Sequence, residues 1–279
     1  MSKIDISIIT IVYKNPAGLA VTTNSLKPLL HSSLNWEHVV VDSSTEEHAS
    51  VLANLQKEGS TPWPLVLVSV PPTGIYSAMN QGWRRSQGRL IIFLNGGDKL
   101  KSALTLEKAI KEFNSDRNLD LLLGTAELFR DGNYLYSKAP HPSFIRNILG
   151  FNGICHQAVV YRRSAFEKVG EFSTRYKLAG DYEHHFRCYL AGLKHKSMNL
   201  HLVEFDMAGQ SSKWREVLVE YGQIHKALAD QLSRPIVRLN ELLLQWETTR
   251  LTVLKKVADS PLSSKLRPVW LWYQRKRAR

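Results

Sequence analysis

The chain opens on a near-continuous apolar run at residues 6–12, Ile-Ser-Ile-Ile-Thr-Ile-Val. A strand apolar at both parities is buried on both faces, the usual state of a strand inside a parallel sheet. The spacing then turns helical over residues 16–30, with Asn15 placed to cap it. The alternation continues: 36–42 predicts a strand, 46–57 a helix, 64–70 a strand, 74–87 a helix and 89–94 a strand that runs into a loop at 95–98. Residues 103–113 and 119–124 add one more helix and strand. Strands separated by helices of about ten to fifteen residues predict βαβ units and an open α/β sheet. Ligands of such sheets lie beyond the carboxyl ends of the strands, where Asp42 and Asp98 fall.

After Gly124 the pattern changes. Asp131-Gly132 between alternating residues predicts a hairpin over 127–138. A strand over 156–161, a helix over 181–191 and a strand over 200–205 follow. From Lys213 onward the periodicity is helical throughout, over 214–232 and 236–257, with Pro235 as the break. The expected architecture is a Rossmann-like, mostly parallel α/β sheet flanked by helices (residues 1–212), followed by a helical C-terminal extension (213–279).

Composition adds little until charge is mapped. At 279 residues and 43% hydrophobic the chain can bury a sizeable core, which excludes a disordered or collagen-like class. The net charge of +12 is uneven: residues 213–279 hold 14 basic and 6 acidic groups, a surplus of 8, and the body carries the other 4. No helix-turn-helix, zinc or aromatic-basic RNA motif accompanies the charge, so nucleic acid is not an expected partner. Cys155 and Cys188 form no disulfide framework and no metal-ligand spacing. No window approaches the roughly 20 apolar residues of a membrane span, and no cleavage site follows the first apolar run. A reduced, cytoplasmic setting is expected.

The chemistry-bearing residues lie in ordered motifs: Asp42; Gly74-Ile-Tyr-Ser-Ala-Met-Asn-Gln-Gly82; Gly88-Arg-Leu-Ile-Ile-Phe-Leu-Asn-Gly-Gly-Asp98; His156-Gln-Ala158; Ala179-Gly-Asp-Tyr-Glu183; and Phe205-Asp-Met-Ala-Gly-Gln-Ser211. Together, over residues 4–212, they resemble the family 2 glycosyltransferases of GT-A fold, in the bacterial surface-polysaccharide branch that reads G-I-Y-D-A-M-N-K-G, F-L-N-S-G-D and F-x-x-G-G-x-S at these places. The resemblance implies inverting transfer of a sugar from a UDP- or GDP-linked donor to a glycan or polyprenyl-linked acceptor, assisted by Mg2+ or Mn2+.

Each motif has a physical reading beside that resemblance. Breaking the anomeric bond requires neutralising the leaving diphosphate, which a cation held by a carboxylate does as a Lewis acid. Asp98 is the expected metal carboxylate, and Asn95 and Gly97 belong to a loop that lets phosphate approach the main chain. The wider family has an Asp-x-Asp here; its two acids are replaced by Asn95 and Gly97, leaving fewer charges on the metal. The competing reading of Asp98 is an exposed turn residue. Thr10, Val12 and Tyr13 correspond to the segment that cradles the base, with Tyr13 able to stack on it. Asp42 ends a strand where base or ribose would lie, or caps the next helix. Gly74, Tyr76 and Asn80 belong to a helix whose N-terminus faces the diphosphate, and Ser77 replaces the branch's Asp.

Asp181 matches the family's general base, with a helix cap as the alternative. His156, Gln157 and Glu183 are expected on the sugar or acceptor side, a satisfied structural histidine being the alternative for His156. His201 is a further candidate metal ligand. Trp270, Trp272 and Tyr273 followed by Arg275, Lys276, Arg277 and Arg279 fit an interfacial anchor on an anionic membrane, or a packed helix with a solvated basic end. The helices after 213 equally fit a homo-oligomer interface. The competing functional class is a non-catalytic nucleotide-sugar or polyanion-binding protein on the same fold.

Overall fold

The two apolar runs that open the chain form β1 (Ile6–Val12) and β2 (Trp36–Asp42), buried along their whole length and paired in parallel from Ile6↔Trp36 to Val12↔Asp42. The structure, a computed structural model, describes residues 4–44, 62–149, 153–207 and 214–231, with isolated positions beyond. β3 (Leu65–Ser69) lies outside β2, and β4 (Leu90–Asn95) flanks β1 on the other side; all four are parallel. The sheet then becomes mixed. β8 (Val159–Arg162) runs antiparallel between β4 and β6 (Leu121–Arg130), and β9 (His195–Asp206) is parallel to β6. The two-residue β5 (Lys99–Leu100) pairs antiparallel with β9, and β7 (Asn133–Lys138) forms a hairpin with β6. The hairpin turn holds Asp131 and Gly132 both at positive φ, 51° and 75°, as the Asp-Gly pair predicts.

Helices cover both faces. α1 (Pro16–Leu26), α2 (Ile75–Arg85) and α3 (Ala103–Ser115) stand where the periodicity places them, and Asn15 caps α1 by accepting from the Gly18 amide at 2.9 Å. α4 (Phe144–Leu149) and α5 (Arg163–Val169) are too short to announce a period, and the sequence reading passed them over. α6 (Gly180–Leu190) follows, and α7 (Trp214–Leu228) lays Val217, Leu218, Tyr221 and Ile224 into the same core as Tyr182 and Phe186. The helices expected over 46–57 and 236–257, and the aromatic-basic tail, lie outside the described residues. Among the described residues no helix is long and apolar enough to cross a membrane.

Candidate active site

Parallel pairing sets Val12 beside Asp42, Asp42 beside Ser69 and Ile11 beside Asn95, so the carboxyl ends of β1 to β4 share one edge. Tyr13, leaving β1, is 54% exposed. The other two first-strand residues expected at the donor face inward. Thr10 is fully buried with its hydroxyl 2.9 Å from His38 Nε2, and Val12 packs with Leu19 and Val40. Period two puts one side of a strand in the core whatever the other side meets. Asp42 is also buried; its Oδ1 accepts from the Ser44 amide at 2.8 Å and closes a turn at the end of β2.

The loop at 95–98 is braced from several directions. Asp98 Oδ2 accepts from the Asn95 amide (2.9 Å) and Oδ1 from the Asp206 amide (3.2 Å). The Thr22 hydroxyl donates to the Asp98 carbonyl (2.7 Å) and accepts from the Gly97 amide (3.0 Å), while Asn15 Nδ2 donates to the Gly96 carbonyl (3.1 Å). At 2% exposure Asp98 is no exposed turn residue. Burial pushes its carboxyl up to about 7, against the Asn95 and Asp206 amides that favour the charge. Gly97 sits at φ +115°, where an L side chain is strained. Asn95 Oδ1 is buried with no hydrogen-bond partner.

α2 opens on Gly74 at φ +122° with no side chain capping it, leaving first-turn amides at the sheet edge. Two residues on, inside that first turn, the Tyr76 hydroxyl donates to Asp181 Oδ1 at 2.8 Å. Asp181 is half-buried in the first turn of α6, whose cap position is Ala179, so it is not the helix cap. Gly180 explains the approach of the two helices: a Cβ there would meet the Tyr76 ring at 2.7 Å.

Two expected contacts are redirected. Asn80 donates to the Phe172 carbonyl (2.9 Å) and accepts from its amide (3.0 Å), so its side chain anchors α2. Glu183, expected on the sugar or acceptor side, grips Arg187 through both oxygens, at 2.7 and 2.8 Å, one helical turn away. His201 Nδ1 is likewise bound to Glu127, at 2.7 Å.

His156 and Gln157 each lie near one of the two carboxylates, His156 within reach of the Asp181 charge and Gln157 on Asp98. The Gln157 side chain bonds Asp98 and accepts from Cys155 Sγ at 3.1 Å. His156, 5% exposed between Phe93 and Phe172, has no partner on either ring nitrogen. Burial lowers its pKa, opposed by the Asp181 charge. A satisfied structural histidine would not look like this. Lys138 belongs to no sequence motif, yet its Nζ donates to the Ile154 carbonyl at 3.4 Å and lies within reach of the Asp181 charge. Asp206, which stands in the 205–211 motif with no role assigned from sequence, ends β9. Both arrive from strands beyond Gly124, and only the sheet's cross-strand neighbours reveal them. Among the described residues no three His, Cys, Asp or Glu side chains group to hold a metal.

The sequence pattern of Glycosyl transferase family 2 matches residues 7–186. The chain is 28% identical over 155 residues to a PGL/p-HBAD biosynthesis glycosyltransferase of Mycobacterium bovis BCG, covering 56% of this chain and 59% of that protein. This chain's match thus spans under two thirds of that relative's length. An uncharacterised glycosyltransferase of Mycobacterium tuberculosis is 26% identical over 222 residues, 79% of this chain and 82% of that one. Among solved structures, S. aureus TarS (residues 1–349) in complex with UDP-GlcNAc superposes with TM-score 0.65 at 16% identity, covering 86% of this chain and 70% of that one. The Pyrobaculum calidifontis mannosyltransferase PcManGT with GDP-Man and Mn2+ gives 0.62 at 17%, covering 98% and 82%. The likeness is that of the GT-A arrangement.

Proposed function

The chain belongs to glycosyl transferase family 2, and from that membership we propose that it moves a sugar from a nucleoside-diphosphate donor to an acceptor hydroxyl with inversion. The observation that carries the reading is Asp181, held by the Tyr76 hydroxyl, with His156 within reach of its charge and the adjacent Gln157 bonded to Asp98 of the 95–98 loop. The acceptor oxygen attacks the anomeric carbon on the face opposite the diphosphate. The bond from that carbon to the diphosphate oxygen breaks, and the hydroxyl proton passes to Asp181. Tyr76 fixes Oδ1, leaving Oδ2 to take the proton. His156, buried with one donor and one acceptor nitrogen, suits a sugar hydroxyl, which offers one of each.

The loop residues fit a divalent cation, because Asn95 Oδ1 is a buried oxygen with no partner and Gly97 places no side chain in the way. Asp98 and Asn95 would hold it, and when bound it supplies Lewis-acid neutralisation of the leaving diphosphate. The relatives of known structure carry UDP-GlcNAc or GDP-Man, which supports a UDP- or GDP-linked donor here.

Asp181→Asn is expected to cut turnover by about 10²–10⁴-fold, the range for one general base, while isothermal titration still finds donor binding. Asp98→Ala is expected to weaken cation-dependent donor binding instead. Equal loss of donor binding in both variants would remove the separate roles. Donor binding without turnover for any nucleotide sugar would favour the non-catalytic alternative.

We also propose a lipid-linked or surface-polysaccharide acceptor at the inner membrane face, supported by the surplus of 8 charges over residues 213–279 and the aromatic-basic ending. A protein truncated at Pro268 is expected to sediment less with phosphatidylserine vesicles at low salt than the intact chain. Equal sedimentation of the two sinks the tail's part.

A further inference from the structure

Building on the cation reading above, we propose that Asp206, the last residue of β9, supplies the metal-binding carboxylate that the 95–98 loop lacks.

Strand register brings Asp206 to the loop. β5 leaves that loop and pairs antiparallel with β9, Lys99 opposite Glu204 and Leu100 opposite Val203. The same ladder carried two residues back sets Gly97 opposite Asp206. Directly opposed residues project from one face with Cβ atoms about 4.5–5.5 Å apart. Asp206 leans over the glycine accordingly. A Cβ built on Gly97 would lie 3.6 Å from Asp206 Oδ2 and 3.9 Å from its Cβ.

Where the family's second acid would start, an acid from across the ladder already stands. Gly97 at φ +115° cannot take a side chain without strain, so the carboxylate has to come from a neighbour. The Asp206 amide, donating to Asp98 Oδ1 at 3.2 Å, ties the two acid-bearing backbones together.

Other donors at the loop agree. Asn95 Oδ1, standing for the first acid, is a buried carbonyl oxygen without a partner, a hard donor suited to Mg2+ or Mn2+. Glu204 pairs with Lys99 and Lys101, and Glu127 with Lys101 and His201, along the same edge. Asp206 itself is exposed, so a diphosphate can reach a cation placed there. Mg2+ in phosphate-bearing sites commonly takes one or two carboxylates, with substrate phosphates and water completing the shell. Asp98 and Asp206 make two.

The test is Mn2+ titration followed by electron paramagnetic resonance of the unbound ion, with UDP or GDP present, on the wild type, Asp206→Asn, Asp206→Ser and the pair Asp206→Asn with Asn95→Asp. Asp206→Asn and Asp206→Ser are expected to weaken Mn2+ binding by at least about tenfold, the lower bound for losing even a residue that supports a ligand. Their melting temperatures should match the wild type, because the position is exposed and its backbone amide is retained. Restoring an acid at residue 95 should recover part of the affinity. Wild-type Mn2+ binding that survives both single substitutions overturns the role of Asp206 and leaves the cation reading intact. A wild type that binds no Mn2+ with either nucleotide overturns both.

Discussion

Tyr76 brings a phenol to Asp181, and Gly180 makes the contact sterically available. Tyr76→Phe keeps the ring's packing against Phe172, whose centroid is 5.8 Å away, and removes only the hydrogen bond. A hydrogen bond to a charged group is worth about 1.5–3 kcal/mol, so kcat is expected to fall at least about tenfold. Donor KM should stay within about twofold of wild type, and melting temperature should hold. A proportional rise in KM would make Tyr76 a donor-binding residue and not a support of the base. At this scale the carboxylates were legible. Asp42, Asp98 and Asp181 stand out because an acid directly after a strand or at the start of a helix is conspicuous. Asn80 and Glu183 sit in the same motifs yet serve Phe172 and Arg187. Residue type and spacing do not distinguish a polar side chain aimed at a ligand from one satisfying a distant backbone group.

At the scale of elements, the position of α6 depends on α7. Glu220 on α7 accepts from the amides of Lys177 and Leu178 (2.9 Å each) and of Ala179 (2.8 Å), the segment that leads into α6 and Asp181. Three donors on one carboxylate hold that entry in place, and Tyr221 stacks on Tyr182 at 4.0 Å beside it. Glu220→Ala deprives part-buried amides of their acceptor at about 1–3 kcal/mol for each one left unsatisfied. The urea midpoint should drop by an amount equivalent to about 2–4 kcal/mol, and turnover should fall further than the unfolded fraction explains. Full activity at a lowered midpoint would separate the cap from the base. The long strands were legible because burial on both faces leaves a continuous apolar run. β5 was not, since two residues carry no period, yet β5 sets the register that brings Asp206 to Gly97. The Glu220 contacts were equally hidden, joining residues about forty positions apart.

At the scale of the whole molecule, buried histidines tie stability to pH. His38, His184 and His185 are almost wholly buried, and burial lowers each to about 3. Burial keeps them neutral in the fold, His184 against the Gly170 carbonyl that favours its charge, while Thr10 lies beside His38 and the Tyr161 hydroxyl beside His185. In the unfolded chain each takes a proton near 6.5. The unfolded state therefore binds more protons between about pH 3 and 6.5, so stability is complete above that range and is lost as pH falls through it. Asp98 works the other way. Raised to about 7 in the fold, it keeps a proton that an unfolded aspartate has released, which offsets about one of the three. His225, lowered to about 4, and His156, also lowered by burial, act in the same direction, so a net of about two to four protons gives a slope of about 3–5 kcal/mol per pH unit. Urea midpoints measured from pH 7.5 down to 4.5 are expected to fall steeply below pH 6.5. His38→Gln, which keeps an amide near Thr10 but cannot take the proton, should flatten that slope by about one quarter to one half. Midpoints that stay level between pH 7 and 5 would mean that these histidines are not neutral cargo of the fold.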